Sequence, residues 1–361
     1  MTRPTHATPV TVAPVHLDRA RAWVLAVVAV VAVVTVMACT DDGGAVTNDP
    51  TDATTGDTTT TGSTGSTTTG VDSSSAADTS TTGGPAVPAL GPWRVMTFNV
   101  MCSSCTPDGF EPWDLRVPHM GDTIRRHDPD LLGTQELFTG AEVEELEAEL
   151  PGYTSVWFAK PTPDNLDYAD AAIFYRTELF EEVEHGFYWL SPKPDTAYST
   201  GFAAPQLPRL VVWARLRALA EDYELVFATT HFDNNAPSQE LSAPVVLERT
   251  AALGDELPVI MVGDYNSQTN DLAYEILTTG VDGSGPRFED AFALSEQWRQ
   301  DTNLDPAPQY DPASRIDHVF VAGAPWTASD WAVDQWGYGP TMMYTSDHFA
   351  ISVELAVPPP G

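Results

Sequence analysis

Six short stretches constrain what this chain can fold into: Asn99 in RVMTFNV, Gln135-Glu136 in DLLGTQEL, His231 in ELVFATTHFD, Asp264 and Asn266 in VIMVGDYNS, Asp317 in RIDHVFV, and Asp347-His348 in TSDHFAISVEL. In five of them a run of four to six mainly apolar, often β-branched residues borders the polar side chains. That is the pattern of buried strands that finish in polar tips. Strands lying side by side gather such tips at one rim. What collects there is carboxylates, carboxamides and two imidazoles, with almost no lysine. Like-charge repulsion leaves such a cluster in need of a cation, so the pattern reads as a metal-dependent active site.

The spacing of apolar residues predicts strands over 93–100, 130–135, 171–176, 209–217, 223–230, 258–262, 315–321 and 348–355. Helical spacing marks 113–128, and 140–150 with Val143, Leu146 and Leu150 on one face. Two more helices are expected over 241–257, with Ser242 or Pro244 near the start, and over 270–277. Pairs such as 209–217 with 223–230 read as hairpins, so mixed sheets with helices outside fit better than a doubly wound parallel sheet. The Gly-, Pro- and Asp-rich segment 280–314 is placed to frame a substrate groove.

Before this domain lie two segments of other kinds. Arg19 and Arg21 precede the apolar run Ala22–Ala38, the layout of an export signal over 1–38. Its end, Val36-Met37-Ala38-Cys39, resembles the lipobox of bacterial lipoproteins, which implies lipidation at Cys39, export, and a lipid anchor to a bacterial membrane or cell surface. A retained anchor helix is the competing reading. The stretch 39–89 is Thr-, Gly- and Ser-rich, with no aromatic before Trp93, so it cannot bury enough surface to fold. Its 49 residues from 40 to 88 reach roughly 35–42 Å as a flexible tether. Residues 90–361 form one domain, long enough for a single large core and carrying 14 basic against 43 acidic residues, a net charge of −29. Such a field repels polyanions and keeps the domain soluble as a monomer.

In GDYN an extended backbone puts Asp264 and Asn266 on one face, and Gly263 lets the chain turn or approach a ligand. Carboxylate and carboxamide oxygens are hard donors that suit Mg²⁺, Mn²⁺ or Ca²⁺, and magnesium needs only one or two protein carboxylates. An aspartate beside a histidine raises and orients the imidazole for acid–base work. Duller readings stand beside these: GDYN as an Asx turn, His119, His127 and His185 as edge histidines, His318 as packing or surface because it alternates away from Asp317. Cys102 and Cys105, a CxxC pair in an oxidising compartment, read as a local disulfide. A zinc site would need a second ligand pair, and a redox motif a βαβ context.

Taken in order, the six blocks resemble the endonuclease/exonuclease/phosphatase superfamily over roughly 92–356. Trp113-Asp114-Leu115-Arg116, Leu190 in YWL-S-P, Pro208-Arg209 and Thr230-His231-Phe232-Asp233 share in the likeness. The resemblance implies an α/β four-layered sandwich of two packed mixed sheets with helices outside. It implies Glu136 as main metal ligand, with Asn99, Asp264 and Asp347 helping. Asp264 would activate the attacking water, and Asn99, Asn266 and Arg209 would bind phosphate. His348 paired with Asp317 would be base or phosphate ligand, and His231 general acid or phosphate donor. Many relatives carry a supporting Glu where this chain has Ala169. Asp170 through a bulge, or Asp233, is then left to support His231.

The expected activity is phosphodiesterase-type ester hydrolysis with Mg²⁺, on a small phosphodiester, a phospholipid headgroup or nucleic acid. A nuclease acting on extracellular DNA or RNA, and an inactive surface-binding module of the same fold, are the alternatives. Nucleic acid is disfavoured by the charge balance unless Arg116, Arg209 and Arg315 line a local groove. No G-x-S-x-G elbow, P-loop or HExxH helix is present.

Overall fold

The computed structural model describes residues 87–158, 170–202, 207–254 and 256–360. The export signal, Cys39, nearly all of the tether and Ala169 lie outside the described residues. Among the described residues thirteen strands form two sheets. The first contains β1 (Leu90–Asn99), β2 (Leu131–Leu137), β3 (Tyr153–Trp157), β4 (Asp170–Arg176), β10 (Trp298–Asp301), β12 (Thr327–Asp334) and β13 (Ile351–Val357), in the order β10-β12-β13-β1-β2-β4-β3. The second contains β5 (Phe180–Trp189), β6 (Leu210–Ala218), β7 (Tyr223–His231), β8 (Val259–Asp264), β9 (Glu289–Asp290) and β11 (Asp317–Ala322), in the order β5-β6-β7-β8-β11-β9.

Both sheets are mixed. β1 runs parallel to β2 and antiparallel to β13, while β7 runs parallel to β8 and antiparallel to β6. Val95, Ile173, Val212, Phe227, Ile260 and Val353 belong to one apolar layer drawn from both sheets. Two outer layers close the sandwich. Helices α1 (Trp113–His127) and α2 (Gly140–Ala148) bury Met120, Ile124, Val143 and Leu146 with Phe98 and Phe174 of the first sheet. Helices α3 (Ser238–Leu253) and α4 (Leu272–Thr279) bury Val246, Leu247 and Leu277 with Met261 and Phe320 of the second. The expected four layers are the observed ones.

Local chemistry accounts for the boundaries. Thr139 accepts from Glu142 N while Glu142 accepts from Thr139 N, a capping box that starts α2. The start of α3 corrects the sequence reading, since it begins at Ser238 and takes Pro244 into its second turn. Gly133 is required by packing between the sheets, where a Cβ would stand 2.6 Å from Thr229 Oγ1 and 2.3 Å from Val262 Cγ2. Periodicity missed β3, β5, β9, β10 and β12. Four of these are sheet edges with one unpaired side. β5 carries exposed Glu181, Glu182 and Glu184, as edge strands do to discourage further pairing. In β12 a bulge between Ser329 and Ala332 breaks the alternation.

Candidate active site

Asn99 and Gln135 are paired near the ends of parallel β1 and β2, and His231 and Asp264 at the ends of parallel β7 and β8, and the packing of the two sheets brings both pairs to one rim. Asp264 is the hub. It is buried, and its Oδ1 accepts from Asn266 N at 2.8 Å while Oδ2 accepts from Asn99 Nδ2 at 3.0 Å. His231 Nε2 lies 3.5 Å and His348 Nε2 3.7 Å from the same Oδ2. Burial would raise the Asp264 carboxyl, but the two imidazoles and the donors from Asn266 and Asn99 hold it below the usual range.

Each imidazole has its own acid behind it. His348 Nδ1 lies 2.8 Å from Asp317 Oδ2, which reaches across from β11, the antiparallel neighbour of β8. Burial alone would lower the His348 pKa, but Asp317 and then Asp264 drive it well above the ordinary histidine value. Asp317 is itself raised, by burial and by Asp264, with His348 opposing. His231 Nδ1 lies 3.0 Å from Asp170 Oδ1. Asp170, at φ 41 beside a register shift in the β2–β4 pairing, is the aspartate that supports His231 through a bulge. Asp233 does not compete, because its Oδ1 accepts from Asn235 N and Nδ2. Burial would raise Asp170, but Arg209 and His231 bring it down to about 2.

Glu136 stands at φ 70 where β2 is bulged against β4, which turns its side chain out of the strand alternation. Its carboxylate accepts from Asn99 Nδ2 at 3.1 Å and from Cys102 N at 2.8 Å. Cys102 and Cys105 form a disulfide. Asp347 meets solvent at the mouth, with its Oδ1 3.3 Å from Ser346 Oγ. Partial desolvation raises its carboxyl, His348 opposes that, and the like charge of Glu136 adds to it. Among the described residues, Glu136 and Asp347 have no basic side chain as close as the partners of Asp170 and Asp264. Hard carboxylate oxygens in this state fit a divalent ion.

Three sequence expectations change. Asn266 takes φ 44, so GDYN is a turn rather than an extended segment, and Asn266 Nδ2 donates to Phe232 O at 3.0 Å. Asn99 commits its amide hydrogens to Glu136 and Asp264 and its Oδ1 to Met101 N, so it organises carboxylates instead of reaching for phosphate. Arg209, read from sequence as a phosphate ligand, is buried, with Nη1 2.9 Å from both Asp170 oxygens and 2.7 Å from His231 Nδ1. Arg116 and Arg315 are internal as well. Arg116 donates to carbonyls and Arg315 pairs with Asp290, so none of the three lines a nucleic-acid groove.

The remaining histidines divide. His119 stacks on Tyr338 and His185 meets Glu182, both at the surface. His127 is no edge residue, since it is buried with Nε2 2.7 Å from Asp334 Oδ2 and Nδ1 3.0 Å from Ser352 Oγ. His318 is packing, as its alternation predicts: its Nε2 donates to Ser267 O at 2.9 Å and its ring stacks on Phe320.

The sequence profile of the Endonuclease/Exonuclease/phosphatase family matches residues 96–348. No curated protein matches the chain by sequence. An endonuclease/exonuclease/phosphatase family protein from Bacteroides thetaiotaomicron is 27% identical over 75% of this chain and 98% of its own, with a TM-score of 0.63. The mannosyl-6-phosphatase of Bacteroides thetaiotaomicron VPI-5482 is 28% identical over 73% and 99%, with a TM-score of 0.62. The human Nocturnin catalytic domain with bound sulfate shares the fold at 17% identity, covering 75% and 97%, with a TM-score of 0.55.

Proposed function

The chain belongs to the endonuclease/exonuclease/phosphatase family, and on that premise we propose that it is an exported, surface-tethered, Mg²⁺-dependent phosphoester hydrolase. One observation carries the reading: two imidazole–carboxylate pairs, His231–Asp170 and His348–Asp317, meet at the single carboxylate Asp264, and Asn99 joins that carboxylate to Glu136. A structural histidine needs one partner, and here two converge on a third acid.

Glu136 and Asp347 would hold the ion, which when bound offsets negative charge on the phosphoryl oxygens. Asp264, kept ionised, takes a proton from the attacking water. The water oxygen bonds to phosphorus as the opposite P–O bond breaks. His348, kept protonated by Asp317 and Asp264, donates to a non-bridging oxygen where charge grows. His231, oriented by Asp170, delivers the proton that the departing oxygen needs.

A small phosphoester with a single phosphate suits this site better than nucleic acid. The 14 basic residues of the domain face 43 acidic ones, and Arg116, Arg209 and Arg315 are all buried in internal bonds. The relative named for mannosyl-6-phosphatase activity makes a sugar phosphate the first substrate to try. Purified full chain is to be assayed on mannose 6-phosphate, a chromogenic phosphodiester, sphingomyelin and plasmid DNA, with Mg²⁺ and with chelator. Turnover that needs Mg²⁺ and vanishes in His348→Ala is expected. Turnover that survives both chelator and that substitution removes the mechanism. Silence on all four substrates favours a surface binding module.

A further inference from the structure

Arg116 is wholly buried on α1, yet its bonds lead to both arms of the site. A guanidinium has five N–H donors, and here each meets a backbone carbonyl. Nε donates to Glu111 O at 2.9 Å, Nη1 to Val100 O and to Thr345 O at 2.8 Å each, and Nη2 to Met101 O at 2.9 Å and Cys102 O at 3.2 Å. None of these partners is a carboxylate. A buried cation without a direct counter-ion is costly, and only full use of its donors makes it tolerable.

The carbonyls belong to two separate chain segments. Residues 99–102 form one arm, where Asn99 Nδ2 and Cys102 N both donate to Glu136. Residues 345–348 form the other, which carries Asp347 and His348. A second tie runs between the same arms, because Ser346 Oγ donates to Asn99 O at 2.6 Å. Lysine could not replace this clamp in full, since its ammonium offers three donors where five carbonyls are met.

The geometry points to Arg116 as a positioning residue that clamps the arm holding Glu136 to the arm carrying Asp347 and His348, and so sets the affinity of the site for its divalent ion. This deepens the reading in which Glu136 and Asp347 hold that ion, and it rests on that reading. Arg116 touches neither substrate nor ion; it acts through the two loops.

The test uses the full chain with Arg116→Lys and Arg116→Gly, reading Mn²⁺ binding by electron paramagnetic resonance, kcat, KM and the thermal melt. Arg116→Lys is expected to bind Mn²⁺ about 10- to 100-fold more weakly, the usual cost of losing support behind a metal ligand. Its turnover should recover at saturating metal with KM for the ester little changed. Arg116→Gly should regain Mn²⁺ affinity with added guanidinium chloride and not with sodium chloride at equal ionic strength, a response that lost packing alone would not give. Lysine-variant binding as tight as native, or a glycine variant deaf to guanidinium, overturns the clamp. If neither variant folds, Arg116→Gln, which keeps two N–H donors in one plane, is read in the same way, and Mn²⁺ binding as tight as native there overturns the clamp. Native chain that binds no Mn²⁺ sinks the metal reading and the clamp with it, whereas native binding that the variants leave intact sinks the clamp alone.

Discussion

Two histidines flank Asp317 and meet opposite fates. His348 comes from the loop before β13, bonds Asp317 at 2.8 Å and stands 3.7 Å from Asp264, so two carboxylates raise its pKa well above normal. His318 follows Asp317 directly in sequence, but strand alternation sends it to the other face of β11. There, burial outweighs the 3.9 Å approach of Asp290 and pulls its pKa down to about 4. The same residue type beside the same aspartate, through space in one case and along the chain in the other, is a charged rim group in the first and a neutral core group in the second. What separates them is the field each meets, and a histidine–aspartate adjacency in sequence does not reveal it. His127 with Asp334 teaches the same lesson in space: a 2.7 Å imidazole–carboxylate pair whose other nitrogen meets Ser352 has nothing left to offer a substrate.

The contrast is broken most directly by truncating each ring. His348→Ala is expected to cut kcat on the order of 10²–10⁴-fold with a small change in melting temperature. His318→Ala and His127→Ala should do the reverse, leaving turnover within several-fold in the folded protein while lowering its stability. Parallel kinetics and thermal melts decide it, and a comparable loss of kcat in all three would erase the distinction.

A second test concerns the other imidazole. Asp170→Asn leaves the buried Arg209 without its carboxylate, and breaking such a pair costs about 3–5 kcal/mol. Urea unfolding measures that loss, and a midpoint equal to native would show that Arg209 finds compensation elsewhere.

Acid sharpens the comparison further. Because folded His318 has a pKa of about 4 against 6.5 for the free side chain, the unfolded chain binds its proton first as pH falls. Stability should therefore drop between pH 6.5 and about 4, by roughly 3 kcal/mol, and His318→Gln should flatten that limb. His348 acts in the opposite sense in metal-free protein. Its raised pKa contributes stability fully present below 6.5 and lost as pH rises through the folded value. A metal-free alkaline limb unaffected by His348→Ala would contradict the second half.

The smallest effect is expected at Asp233, the rival support for His231. Since its Oδ1 serves only the Asn235 turn, Asp233→Ala should cost about 1 kcal/mol and leave kcat near native. A steep loss of activity in initial-rate assays would return Asp233 to the site.

Much of the fold was readable because buried strands announce themselves. The runs before Asn99, Glu136, His231 and Asp264 are mainly apolar and buried on both faces, as strands covered on both sides are. Edge strands β3, β5 and β10 were not readable, since a strand with one free side tolerates the charges that erase its pattern. Asp170 was identified only as one of two choices. No local signal told it from Asp233, because the bulge that aims it depends on how β4 registers against β2.

Composition and order alone established a strand-rich, strongly acidic domain whose polar tips share one rim, because apolar periodicity and chain direction are local properties. The tertiary structure alone decided which tips became a site. Arg209 was withdrawn into a pair with Asp170, Asn99 was turned into a bridge between carboxylates, and Arg116 was fastened beneath both arms. The physical reason is that a polar group's role depends on which partners reach it within about 3 Å, and those partners come from strands far apart in the chain.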